Sequence, residues 1–222
     1  MRQSLPRLLL VLTAGAGLVD AVSYLALGHV FVANMTGNVV FLGFSIAGAS
    51  GVSALASLVA IAAFLAGAME GGRLGSRFGD ADRGEALAAG MGVQLVLVAA
   101  AAIIAAVAGV HGSASRYLLI VLLAGAMGIQ TAIARRLGVR DLPTTVLTQT
   151  LAGLASELDI GSIRTDPLLR RRLLAVGAML LGALVGALLV LNVKSWTALA
   201  TAAVLIGGVA GAARNVVVEP SG

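Results

Sequence analysis

The chain has 222 residues, 59% of them hydrophobic and only 11% charged, with a mean hydropathy of +1.02. A water-soluble domain is about a quarter charged, so this composition excludes an ordinary globular enzyme, a disordered segment and a nucleic-acid binder. The net charge of +5 comes from 15 Lys+Arg against 10 Asp+Glu, and the lack of cysteine excludes disulfides, thiolate catalysis and Cys-ligated metals.

The remaining class is an all-α, polytopic membrane protein, read as a single transmembrane domain over residues 1–222. Its 29 glycines suit close helix packing in lipid. Apolar stretches run at 8–28, 30–49, 53–72, 87–110, 117–135, 143–156, 168–191 and 196–213. About 20 residues are needed to cross a bilayer.

The first stretch follows Arg2 and Arg7 and mimics a signal peptide, but it stays apolar to Leu27 and reads as an uncleaved span. It holds Asp20, the only acidic residue well inside a crossing, with Tyr24 on the same helix face. An ionised carboxylate at that depth is costly, so Asp20 must be protonated, paired or wet. Two readings stand level: a proton or cation site, and a packing hydrogen bond to Tyr, Asn or Thr.

In the second stretch Asn34, Thr36, Gly37 and Asn38 interrupt an apolar run. Thr36 is expected to cap a helix running through Phe41, and Gly37 lets backbone or solute approach closely. N–H groups freed at a helix start inside a membrane need a partner that lipid does not offer, such as water or a solute. The stretch closes on Gly48-Ala49-Ser50-Gly51, which resembles the serine motif of rhomboid proteases. That chemistry needs a membrane-embedded histidine, whereas His29 and His111 both fall at span edges. An intramembrane serine hydrolase is therefore a distant alternative, and the chain is expected not to be an enzyme. The histidines have no carboxylate partners nearby, so no metal or cofactor is expected.

The third stretch carries a Gly67, Gly71, Gly75, Gly79 ladder, and Gly182/Gly186 and Gly207/Gly211 repeat the spacing. Such ladders serve internal helix contacts or a homodimer. Gln130 in the fifth stretch holds a polar place roughly like that of Asp20. The short sixth stretch opens with Pro143, Thr144 and Thr145 and contains Thr148, Gln149 and Thr150. Arg170, Arg171 and Arg172 then form a topology anchor that meets anionic lipid.

Cytoplasmic loops collect Lys and Arg. Eight crossings would leave the cations almost evenly divided, with eight inside and seven outside. A seven-crossing arrangement improves the division to eleven against four. If the second and sixth stretches dip in and return on one side, only Arg116 and Lys194 lie outside and the other thirteen lie inside. The expected fold is thus six transmembrane helices plus two re-entrant half-helices, with both termini cytoplasmic. Each half, 1–110 and 116–222, then crosses three times, so the halves are inverted repeats, a plan common among secondary transporters.

Gly17-Leu18-Val19-Asp20-Ala21-Val22-Ser23-Tyr24, followed by Asn34-Met35-Thr36-Gly37-Asn38, resembles the signature of the YoaK-like family of bacterial membrane proteins. Met127-Gly128-Ile129-Gln130-Thr131-Ala132 followed by Thr144, Thr145 and Thr148 is similar to its second-half counterpart. Where that family often has Thr-Gly-Thr, this chain has Thr148-Gln149-Thr150, so the second half lacks a close-approach glycine. The resemblance implies an uncharacterised, permease-like membrane protein and names no substrate. The expected function is a transporter or channel of the cell membrane for a small solute, anionic or dipolar, bound near the midplane between two half-helix N-termini. Asn34, Thr36, Gly37, Asn38, Gln130, Thr148 and Thr150 are the expected solute ligands, with Asp20 and Tyr24 as coupling candidates. The alternative from another class is a non-transporting membrane scaffold.

Overall fold

A computed structural model describes residues 4–78, 83–137 and 167–214. These form seven helices: α1 (Ser4–Ala26), α2 (Met35–Ile46), α3 (Ala54–Ser76), α4 (Arg83–Val107), α5 (Ser113–Arg136), α6 (Pro167–Asn192) and α7 (Ser195–Ala213). Six are long and apolar enough to cross a bilayer, in agreement with the spans expected from sequence. With 12 residues, α2 is about 18 Å long, too short for a hydrocarbon core of roughly 30 Å. No strand occurs among the described residues.

Glycine ends the helices that flank the first polar interruption. Gly28 (φ 94°) follows α1, and the His29 N–H reaches back to the Tyr24 carbonyl. Gly48 (φ 88°) does the same for α2, with the Ala49 N–H on the Phe44 carbonyl. Both are Schellman ends, which need a left-handed residue that glycine adopts without a Cβ penalty. At the next start, the Ser53 hydroxyl accepts the Ala56 N–H and caps α3.

Small residues decide which helices meet. A methyl group added at Gly67 would strike the Gly125 backbone, and one at Gly71 the Ile129 backbone, so α3 and α5 pack in parallel at near backbone contact. In the same way Gly182 meets the Ala14 backbone and Gly186 that of Leu18, which sets α6 parallel to α1. The other packed pairs among the long helices are α4–α7, α4–α5, α1–α7, α6–α7, α3–α4 and α1–α5. Exchanging α1 with α5, α3 with α6 and α4 with α7 leaves this set of pairs unchanged. The short helix α2 packs on α3.

Gly28, just past the end of α1, abuts the Arg116 side chain at the start of α5. Since α3 runs parallel to α5, α3 also starts at that end. The chain therefore leaves α1 and enters α3 at one end of the bundle, with α2 in between. By the same logic α5 ends and α6 starts at the opposite end. That opposite end gathers Arg7, Arg73, Arg77, Arg83, Arg135 and Arg136, whereas the first end holds Arg116 and Lys194. The outward face of α6 is a leucine surface, with Leu180, Leu181, Leu184 and Leu191 all more than half exposed. It is suited to lipid.

Candidate functional site

The site is built where the chain turns back on α1. Asp20 lies less than two turns before the end of that helix, about 9 Å below Ala26. Its Oδ1 accepts the N–H groups of Val32 (3.0 Å) and Ala33 (2.8 Å), so the segment after α1 descends to the level of Asp20 before α2 begins. Oδ2 of the same carboxylate is buried and has no hydrogen-bond partner among the described residues. Such an atom is expensive in a membrane interior, where no bulk water can serve it.

Asn38 holds the same segment from the other side. Its Oδ1 accepts the Phe31 N–H at 2.9 Å and its Nδ2 donates to the Phe31 carbonyl at 2.6 Å. The side-chain amide thus satisfies both polar groups of one residue that has left regular structure, each bond worth about 1 kcal/mol. The Phe31 ring stacks on both Tyr24 (5.1 Å between centroids) and Phe41 (5.7 Å), in a triangle of rings whose third side, Tyr24 to Phe41, is 6.2 Å. A Cβ at Gly37 would come within 2.6 Å of the Phe31 ring, so the space left by that glycine is filled by Phe31. Tyr24 also meets the His29 ring edge-on at 5.1 Å, and His29 sits at φ 57°, a left-handed conformation uncommon for a residue with a Cβ.

The sequence-expected residues therefore divide. Asp20, Tyr24, Gly37 and Asn38 converge on residues 31–33, while Asn34 and Thr36 are exposed at the start of α2. The expectation that Thr36 caps the helix is corrected: Asn34 (φ −105°, ψ 85°) is the last non-helical residue, and Thr36 is already in the first turn. Asn34 makes no side-chain cap bond, which leaves the first-turn N–H groups of α2 without that partner. Thr148 and Thr150 lie outside the described residues. Ser50 sits in an exposed turn between α2 and α3, and His29 and His111 are exposed as well.

Gln130 is buried between α4 and α5, where its Oε1 accepts the Gln94 Nε2–H at 2.6 Å. Sequence reasoning passed over Gln94, although a lone amide at the centre of the fourth apolar stretch was a visible signal. It also passed over Thr131. Gly17 packs on Met179 and Ala183 as Gly128 packs on Phe64 and Ala68. Three residues beyond Gly17 is Asp20, and three beyond Gly128 is Thr131, so Thr131, beside Gln130, holds the position of Asp20. The Thr131 hydroxyl oxygen is buried and has no partner among the described residues.

Comparison with known proteins places this chain. Residues 8–212 match the family described as "Protein of unknown function (DUF1275)". The chain is also 34% identical over 151 residues to the "UPF0700 transmembrane protein YoaK" of Bacillus subtilis (strain 168), an alignment that covers 68% of this chain and 66% of that protein. No solved structure matches. The chain belongs to the DUF1275 family, a family of YoaK-like multi-pass membrane proteins.

Proposed function

We propose that this member of the DUF1275 family is a transporter or channel for a small solute in the cytoplasmic membrane, built from two inverted repeats with a re-entrant half-helix in each and both termini inside. The carrying observation is the Asp20 carboxylate. One oxygen clamps the chain at the root of an interrupted span, and the other is buried without a partner among the described residues. An oxygen kept open at this depth suits a proton, a cation or a solute donor that comes and goes. The exposed first turn of α2, with Asn34 and Thr36, adds free N–H groups that favour an anionic or dipolar solute.

The inverted repeat is supported by the exchange symmetry of the packed pairs and by the matching glycine contacts of Gly17 with Gly128 and Gly67 with Gly182. The re-entrant reading of α2 is supported by its length and by the chain around it, which leaves α1 and enters α3 at the same end of the bundle. It yields an accessibility test. With His29→Cys and Ser50→Cys made separately in this cysteine-free chain, an impermeant thiol reagent should label both from outside the cell, and Ser76→Cys only after lysis. Labelling of His29→Cys and Ser50→Cys from opposite faces removes the re-entrant helix.

A scaffold is the second reading, favoured by Asn38, whose amide is spent on the Phe31 backbone. A thermal-shift screen of small anions, amino acids and sugars, followed by flux into proteoliposomes, separates the two. Thr36 is exposed, so Thr36→Val should leave the melting temperature of the ligand-free protein within about 2 °C, a change worth no more than 1 kcal/mol. The same variant should lose most of the ligand-induced shift and flux. Retained flux in Thr36→Val removes that residue from the site, and no flux for any solute class supports the scaffold.

A further inference from the structure

Gln94 and Gln130 are 0% and 2% exposed, in the interior of two membrane-spanning helices. Two primary amides facing each other can close a ring of two hydrogen bonds. Here they make one, from Gln94 Nε2 to Gln130 Oε1, with the Met127 sulfur 3.6 Å from the same nitrogen. Gln94 Oε1 is buried and has no partner among the described residues. Whichever way each amide is turned, a single bond between them leaves one carbonyl oxygen and one NH₂ group to be satisfied by something else.

Packing does not require this pair. Gln94 is the twelfth residue of α4 and Ile206 the twelfth of α7, and Gly207 of α7 lies against Leu95 of α4, so Ile206 is matched with Gln94. By the register of Gly17 and Gly128, Val19 corresponds to Gln130. Val19 and Ile206 are 0% and 1% exposed, on two helices, α1 and α7, that pack together. The corresponding helix pair thus carries buried apolar residues at these two places on one side of the bundle and amides on the other. Buried amides cost stability unless satisfied, and the apolar version shows that the crossing can form without them.

We propose that the half-open Gln94–Gln130 pair is a binding site for an uncharged group that presents a hydrogen-bond donor beside an acceptor, the chemistry shared by a primary amide and a water molecule. Such a group completes the ring by donating to Gln94 Oε1 and accepting from the Gln130 NH₂. Neither glutamine carries charge, so the site selects against ions and complements the carboxylate site at Asp20. As a binding site it stands whether or not the protein transports.

The test uses the full chain with Gln94→Leu, Gln130→Leu and the double variant, and acetamide as the probe. The double variant recreates the apolar arrangement of Val19 and Ile206 and should melt at or above the wild-type temperature, whereas each single variant strands one amide and should melt lower. Saturation-transfer NMR on detergent-solubilised protein should detect acetamide on the wild type and lose at least tenfold of that signal in the double variant. In proteoliposomes, shrink–swell kinetics read acetamide and water permeability separately. Loss of only the water signal in the double variant identifies water as the occupant. If neither acetamide binding nor either permeability differs between wild type and double variant, the site does not exist. Binding without flux above empty liposomes keeps the site and overturns transport.

Discussion

Asp20→Asn should fold, keep the segment after α1 in place, and abolish any proton- or cation-dependent flux. Asparagine retains the carbonyl oxygen that the Val32 and Ala33 N–H groups require, at 3.0 and 2.8 Å. It puts an NH₂ where Oδ2 now stands, and that group cannot take up and release a proton through a transport cycle. Asp20→Ala should do something different. It strands two buried N–H groups in a membrane interior, at about 1–3 kcal/mol each, so its melting temperature and expression should fall together. Asp20→Glu keeps the charge and adds a methylene, which displaces the clamp but preserves part of the coupling. A carboxylate that only holds the loop would rank the variants the other way, with Asn near wild type in every assay and Glu impaired. Flux in proteoliposomes across a pH gradient, normalised to folded protein, reads the order. Fully active Asp20→Asn protein ends the coupling role and leaves a uniporter or channel.

The second large effect concerns helix association. Gly182→Val should disrupt the α1–α6 pair, because its Cβ would run into the Ala14 backbone, which cannot move aside as a side chain can. Overpacking of this kind costs about 3 kcal/mol or more where no rotamer relieves it. Gly177 lies on the same helix with nothing within 4 Å of its would-be Cβ, so Gly177→Val carries the same change in helix propensity without the collision. Its stability should stay within about 1 kcal/mol of wild type. Thermal unfolding followed by size-exclusion in detergent compares the two. Equal stability would mean that small-residue contact does not hold this bundle together.

Six spans were legible in the sequence because membrane insertion depends on summed hydropathy over about 20 residues, a one-dimensional quantity. The brevity of α2 was also foreseeable, since Asn34, Thr36 and Asn38 interrupt the apolar run. The work done by each of those residues was not. Asn38 looked like a solute ligand and is committed to Phe31, while Gly37 looked like open space and is occupied by the Phe31 ring. Thr36 looked like the cap, a place that Asn34 takes two residues earlier.

Hydropathy, charge placement and the small-residue ladders by themselves determined the class of this protein, the positions of its crossings and the family signature around Asp20. Those signals are local, and each can be summed or spaced along the chain. Tertiary structure decided which glycine meets which backbone, and hence that α3 pairs with α5 and α6 with α1. It also set the register that matches Asp20 with Thr131 and the amide pair Gln94–Gln130 with Val19 and Ile206. A hydrogen bond between residues 12 or 36 positions apart has no trace in composition or period, because it depends on where two backbones come to lie. The distinction between a spent polar atom and an unpartnered one, on which the sites at Asp20 and Gln94 both turn, arises only once those backbones have met.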